Sequence, residues 1–332
     1  YSRCMEGANA LLTIPFFILG SFIGTFLTTC IERLPFQEDE PDDDDPPNWY
    51  YKIPLFSMFI ALPLYTRFSC LLPAARCPAC KHRLALPERL PLLSFLFQQG
   101  RCKHCHYKIP GRHVIVEFLT GLLYALAFLL LGPTPHLSIA LILIPLFMVA
   151  SVVDFRFQII PDEVSLAGLI AGLGWSLVWT IYYTGEFIYY NRQAPLKIIF
   201  FRGIVDPQYA LGWAFSGFLV GAGSLWLFHL LGSAYAGTDA MGFGDVKLAA
   251  FIGLFLGPKQ VFITLVWSML LGATAGILIK LTGGGRAQGG YTAFAFGPYI
   301  CAGALLTLYF GTSGPIGNYV QNLLYSFQII FM

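Results

Sequence analysis

The chain has 332 residues, 56% of them hydrophobic and only 11% charged, with 20 Lys and Arg against 18 Asp and Glu. A soluble globular domain carries about 25% charged residues, so this composition excludes one and defines an integral membrane protein. The net charge of +2 decides little about partners, and no nucleic acid is expected among them.

Lipid offers no partner for unsatisfied backbone groups, so a crossing helix needs about 20 predominantly apolar residues. Such runs predict spans near 11–31, 114–132, 137–153, 164–184, 209–231, 247–257 with 260–281 following closely, and 294–311. The expected fold is therefore an all-α polytopic membrane protein of about eight transmembrane helices, without internal repeat. The first run is long and has no basic region before it, unlike a cleaved signal peptide. The run 53–72 is interrupted by Pro54, Pro63 and Arg67 and reads as interfacial or re-entrant. Three parts are expected: a first span at 1–31, a cytoplasmic domain at 32–113, and a transmembrane bundle at 114–332.

Between Arg33 and Arg112 lie eleven of the twenty Lys and Arg, which by the positive-inside rule places that segment in the cytoplasm. Counting spans from there makes the loops 154–163, 232–246 and 282–293 cytoplasmic as well. Arg192, Lys197 and Arg202 then fall in an external loop, against the rule.

Within the cytoplasmic segment, "FQEDEPDDDDPPN" at 36–48 is a block of acids and prolines. It reads as a flexible solvated insert, or as an attractor for a basic ligand. Behind it, Cys77, Cys80, Cys102 and Cys105 form two C-x-x-C pairs, with a spacer near the range of about 15–20 residues usual for four-cysteine zinc sites. Four thiolates close a tetrahedron and leave no position for chemistry, so a structural zinc is expected, in preference to an iron–sulfur centre or a redox pair. Lys81, Arg83, Arg101 and Lys103 would help keep the thiolates ionised. Cys4, Cys30, Cys70 and Cys301 have no such pairing and read as small apolar residues.

Two acids adjoin apolar runs at the cytoplasmic boundary. Asp154 follows 137–153, and Asp245, in "AMGFGDVKL", precedes 247–257. An ionisable residue at membrane depth points to function unless it merely marks the water boundary. Two carboxylates converging on one water make an aspartic protease, one ionised to activate the water and one protonated to polarise the carbonyl. Spacing alone does not bring them together. Asp245 opens a helix and Asp154 closes one, which assigns the negative charge to Asp245 and the proton to Asp154. Gly242 and Gly244 are expected to permit a close backbone approach at the start of that helix. A transporter or assembly scaffold is the rival reading, because charges in broken spans also mark ion pathways. A transporter should show paired half-helices in matching halves, and none is evident.

The string from Gly242 to Leu248, with Asp245 and Lys247, resembles the G-x-G-D-x-K-L signature of type IV prepilin peptidases, membrane aspartyl proteases that also N-methylate the pilin they release. "GSFIGTFLTTCIERLP" at 20–35 is similar to the family's first span, although Gly24 stands where an asparagine is usual. The paired cysteines with "LPLLSFL" and "VEFLTGLLY" resemble its cytoplasmic domain. "PDEVSL" looks like the sequence after its first catalytic aspartate, and "FAFGPYICAG" like its last span. The acidic insert with 49–75, and residues 185–208, depart from the pattern.

The resemblance implies that Asp154 and Asp245 are the catalytic pair, with Asp162, Asp206 and Asp239 the competing acids. The implied substrate is a prepilin or pseudopilin with a short basic leader ending in glycine before a hydrophobic helix. The protein would sit in the bacterial inner membrane, surrounded by lipid, cut on the cytoplasmic side and methylate the new amine from S-adenosylmethionine. Glu117, in "VEFLTG", is a candidate to bind the substrate ammonium or accept its proton, or simply a polar residue at a helix start.

Overall fold

The computed structural model describes residues 2–33, 80, 100–108, 111–190, 211–236, 242–281, 287–288, 291–292 and 295–311. The acidic stretch 36–48, the run 53–72 and the loop containing Arg192, Lys197 and Arg202 lie outside them. The elements in chain order are α1 (Ser2–Arg33), α2 (Arg112–Leu131), α3 (Pro135–Phe157), α4 (Asp162–Tyr190), α5 (Leu211–Ala236), α6 (Phe243–Leu281), β1 (Ala287–Gln288), β2 (Tyr291–Thr292) and α7 (Gly297–Phe310). Apart from the two-residue hairpin β1–β2, every element among the described residues is helical. Six helices are long and apolar enough to cross a bilayer, and α7 is a shorter apolar helix. Large apolar side chains such as Leu177, Val178, Ile181, Phe228 and Leu231 point outward, as lipid requires.

The chain divides into two compact units, Tyr1–Val153 and Asp154–Met332. In the first, α1 and α2 run antiparallel. Phe16 stacks on Phe128 with ring centroids 4.5 Å apart. Near the other end of the pair, Glu32 takes Arg112 at 3.1 Å and His113 at 2.9 Å. The backbones nearly touch between these ends: a Cβ added at Gly24 would lie 2.7 Å from Glu117 Cα. The departure from the family's asparagine thus falls where α1 presses against α2. Tyr124 then joins α2 to α3 by donating its hydroxyl to the Leu141 carbonyl at 2.7 Å.

The second unit is built around α6. With α5 it runs antiparallel, Gly217 meeting Gly253 and Gly221 meeting Ala249. Small residues allow this approach, the usual means of helix association where no hydrophobic drive exists between helices. With α4 it runs parallel, Gly168 against Phe251 and Gly172 against Leu254. At Gly257 the backbone leaves helical geometry, with φ 74° and ψ 175°, just before Pro258. The indole of Trp213 occupies the space a Cβ would need there, so only glycine fits both the dihedral and the neighbour.

The break reverses α6. Its far limb packs antiparallel to α7, with Gly303 on Ser268 and the Thr264 hydroxyl 3.2 Å from that of Thr307. Yet Gly297, at the start of α7, shares the Ile160 side chain with Gly244, at the start of α6. In a straight helix Gly244 and Ser268 would stand about 36 Å apart, whereas Gly297 and Gly303 span about 9 Å of helix. Only a chain that doubles back at Gly257 satisfies both contacts. The sequence reading of 247–257 and 260–281 as separate segments corresponds to these two limbs.

Candidate active site

The last turn of α3 ends because Gln158 adopts a left-handed conformation, φ 59°, while its N–H donates to the Asp154 carbonyl at 2.8 Å. Pro161 then starts α4, its carbonyl accepting from the N–H groups of Val164 and Ser165. Asp154 is left at the end of one helix, only 5% exposed, and Asp245 in the first turn of α6 is 7% exposed. The two carboxylates interact electrostatically. One side chain links their surroundings: Ile160 lies against Gly244, beside Asp245, and against Gly297, whose N–H meets Asp154.

A third element takes part. The N–H of Gly297, first residue of α7, donates to Asp154 Oδ2 at 2.9 Å. Pro298 follows in the first turn of α7. A Cβ at Gly297 would stand 2.7 Å from the same oxygen, so any side chain there displaces the carboxylate or the helix. Asp154 therefore faces a helix N-terminus as Asp245 does. The asymmetry of helix ends that assigned the charge to Asp245 and the proton to Asp154 is removed.

The glycines of the G-x-G-D string divide in role. Gly244 is the close approach: a Cβ there would lie 3.0 Å from the Cβ of buried Ile160. Gly242 is exposed, and among the described residues a Cβ would meet nothing nearer than an Asp245 oxygen at 4.0 Å. No described residue crowds Gly242, whose carbonyl accepts the Asp245 N–H at 3.2 Å. Lys247 pairs with Asp162, so of the competing acids Asp162 already has a cationic partner. Asp206 and Asp239 lie outside the described residues. Gly297, Ile160 and the pairing of Asp162 with Lys247 escaped the sequence reading. The one available signal was glycine before proline at the start of the last apolar run.

In the first unit, the sulfurs of Cys80, Cys102 and Cys105 all lie within 4.8 Å of one another. Around a zinc with bonds of about 2.3 Å, tetrahedral thiolates are about 3.8 Å apart, so these three residues fit the metal. The turn that presents two of them is tight: the Cys102 N–H donates to Tyr107 O at 2.9 Å, the His106 N–H donates to Cys102 O at 3.0 Å, and His106 has φ 52°. Cys77 lies outside the described residues. Glu117 is buried, 8% exposed, on the face of α2 that meets Gly24.

Architecture and site together define a polytopic membrane protein with two interacting acids buried at helix ends. Comparison with known proteins adds the lineage. The bacterial peptidase A24 N-terminal domain matches residues 18–131, and the type IV leader peptidase family matches 141–277. The prepilin leader peptidase/N-methyltransferase of Burkholderia pseudomallei (strain 1026b) is 30% identical over 89% of this chain and 84% of its own. The proteins of the same description from Pseudomonas putida, at 30% over 89% of both chains, and Aeromonas hydrophila, at 29% over 90% of both, are similar. No solved structure matches. The chain belongs to the type IV leader peptidase family, and is an enzyme of the peptidase and N-methyltransferase kind.

Proposed function

We propose that the chain is a membrane aspartyl endopeptidase that removes the basic leader of a type IV prepilin or pseudopilin after a glycine, and then methylates the new N-terminus. The observation that carries this is the pair Asp154 and Asp245, buried and electrostatically coupled at helix ends of a membrane bundle. A water held between them loses a proton to the ionised carboxylate and attacks the scissile carbonyl. The protonated partner donates to the carbonyl oxygen; the base then gives its proton to the amine as the C–N bond breaks, and the partner recovers its own from the re-forming carboxyl. The Gly297 N–H fixes Asp154 for this exchange.

Supporting the substrate class are the family, the basic leader it implies, and a bundle whose apolar outer surface suits a hydrophobic pilin helix lying in lipid. We read eight crossings: the first five helices, the two limbs of α6, and α7. With the basic segment between Arg33 and Arg112 inside, that count puts the aspartates at the cytoplasmic face of the bacterial inner membrane.

Cys80, Cys102 and Cys105, with Cys77, would hold a zinc whose part is to fold the cytoplasmic domain. Methyl transfer from S-adenosylmethionine rests on the family alone, with no described side chain assigned to the donor. The chain's own part is to hold the new amine uncharged and in line, and Glu117 is the residue we propose to receive its proton.

Incubation of the purified full chain with a leader-bearing pilin peptide, with and without S-adenosylmethionine, tests the reading. Mass spectrometry should show the peptide cut after the leader glycine, and one methyl heavier only when the donor is present. An intact peptide under both conditions would remove the peptidase assignment.

A further inference from the structure

The four residues between the catalytic helix end and the next helix, with Asp162 that opens α4, form a segment Gln158–Asp162 fastened at three points. Gln158 N–H returns to the carbonyl of Asp154. Ile160, 7% exposed, is wedged between Gly244, which precedes Asp245, and Gly297, which holds Asp154. Asp162 forms an ion pair with Lys247, two residues beyond Asp245. That pair is largely enclosed, with side-chain exposures of 23% and 11%, so it is not the loose surface contact that contributes little.

Residues two apart on a helix project about 200° from one another. Lys247 therefore reaches toward α4 while Asp245 points away from it. An ion pair at Lys247 fixes the rotation of the first turn of α6 about its own axis, and with it the direction of the Asp245 carboxylate. The Ile160 wedge sets the separation of the two glycines, and so of the two acids.

We propose that Gln158–Asp162 is a positioning bracket for the aspartate pair, and that Asp162 and Lys247 are positioning residues of the peptidase reaction. The inference rests on the assignment of Asp154 and Asp245 as the catalytic pair. Their geometry, not the charge of the ion pair, is what the bracket supplies to the substrate.

The test uses the full-length protein in membranes and a leader-bearing pilin peptide. In Lys247→Met and Asp162→Ala, kcat for cleavage should fall by about 10- to 100-fold with KM little changed, the signature of lost alignment in the transition state. Combining the two changes should cost no more than either alone, because both remove one interaction. Asp162→Asn, which keeps an acceptor for Lys247, should restore most of the kcat even if the harsher variants fold poorly. Methylation of a pre-cleaved peptide should persist in every variant. A wild-type kcat in Lys247→Met or Asp162→Ala, additive losses, no recovery in Asp162→Asn, or equal loss of both activities overturns the bracket. Asp154→Asn and Asp245→Asn separate the two claims: if they still cleave, the catalytic pair itself is wrong, whatever the bracket variants do.

Discussion

Asp154 and Asp245 are buried within a membrane bundle, where an unneeded carboxylate is costly. Replacing either by Asn keeps the size but removes the capacity to accept and pass a proton. Each change should lower leader cleavage by about 10²- to 10⁴-fold, with methylation of an already cleaved peptide largely retained, both read by mass spectrometry. Gly297 gives a second residue-scale test. Its Cβ would enter within 2.7 Å of Asp154 Oδ2, so Gly297→Ala should reduce kcat by about 10²-fold through displacement of the carboxylate. A mild effect on kcat would mean that α7 yields easily and does not hold Asp154. All three substitutions lie in the unit that does not carry the cysteine cluster, so any metal held there should be unchanged in each.

Among the elements, the reversal at Gly257 is the most exacting. A β-carbon there would collide with the Trp213 indole and strain a left-handed dihedral. Gly257→Ala should therefore destabilise the bundle by about 1–3 kcal/mol, seen as a lower melting temperature in detergent. A second change, Trp213→Ala, should recover only the steric part, because the dihedral strain stays. This level also shows what the sequence could and could not disclose. Apolar run length located the spans, with 247–257 and 260–281 as two runs following closely, though the turn at Gly257 between them went unread. The two acids at run ends stood out because charge is rare in such a chain. Nothing local, however, joins Gly297 to Asp154, 143 positions away, or Lys247 to Asp162, 85 positions away. Those partnerships arise from which helix faces pack together, and close packing leaves no periodicity to read. The glycine pair was ambiguous for the same reason: sequence shows that a side chain is missing, not whether a neighbour needs its room.

At the scale of the whole molecule, three of the cysteines belong to one compact unit and the aspartates to the other. Metal binding by thiolates is coupled to folding, so if the cluster holds zinc, Cys102→Ser should remove it and open the cysteine-bearing segment to proteolysis before the bundle unfolds. Cleavage should survive this better than methylation, measured in parallel on intact and pre-cleaved peptides. The acidic stretch 36–48 admits a separate measurement. If it attracts a basic leader, neutralising Glu38 through Asp45 should raise KM at low salt and have little effect at physiological ionic strength, where exposed charges are screened beyond about 8 Å.

Two of the rods that carry the site are short. The limb of α6 before Gly257 runs from 243 to 256, and α7 has 14 residues before Gly311 ends it. Each is about 21 Å long, against a hydrocarbon layer of about 30 Å. The α6 limb is enclosed by its neighbouring helices, with Leu248 through Gly257 buried, but lipid beside α7 must thin to meet it or leave its end below the surface. Water would then reach deeper beside α7 than beside the longer described helices, and the scissile bond of a membrane-anchored substrate would need less lifting out of the bilayer to be hydrolysed. Acyl-chain length thereby becomes a control on turnover: reconstitution in short-chain lipids should raise cleavage of a full-length, helix-bearing pilin, and long-chain lipids should lower it. A soluble leader peptide should be indifferent to both.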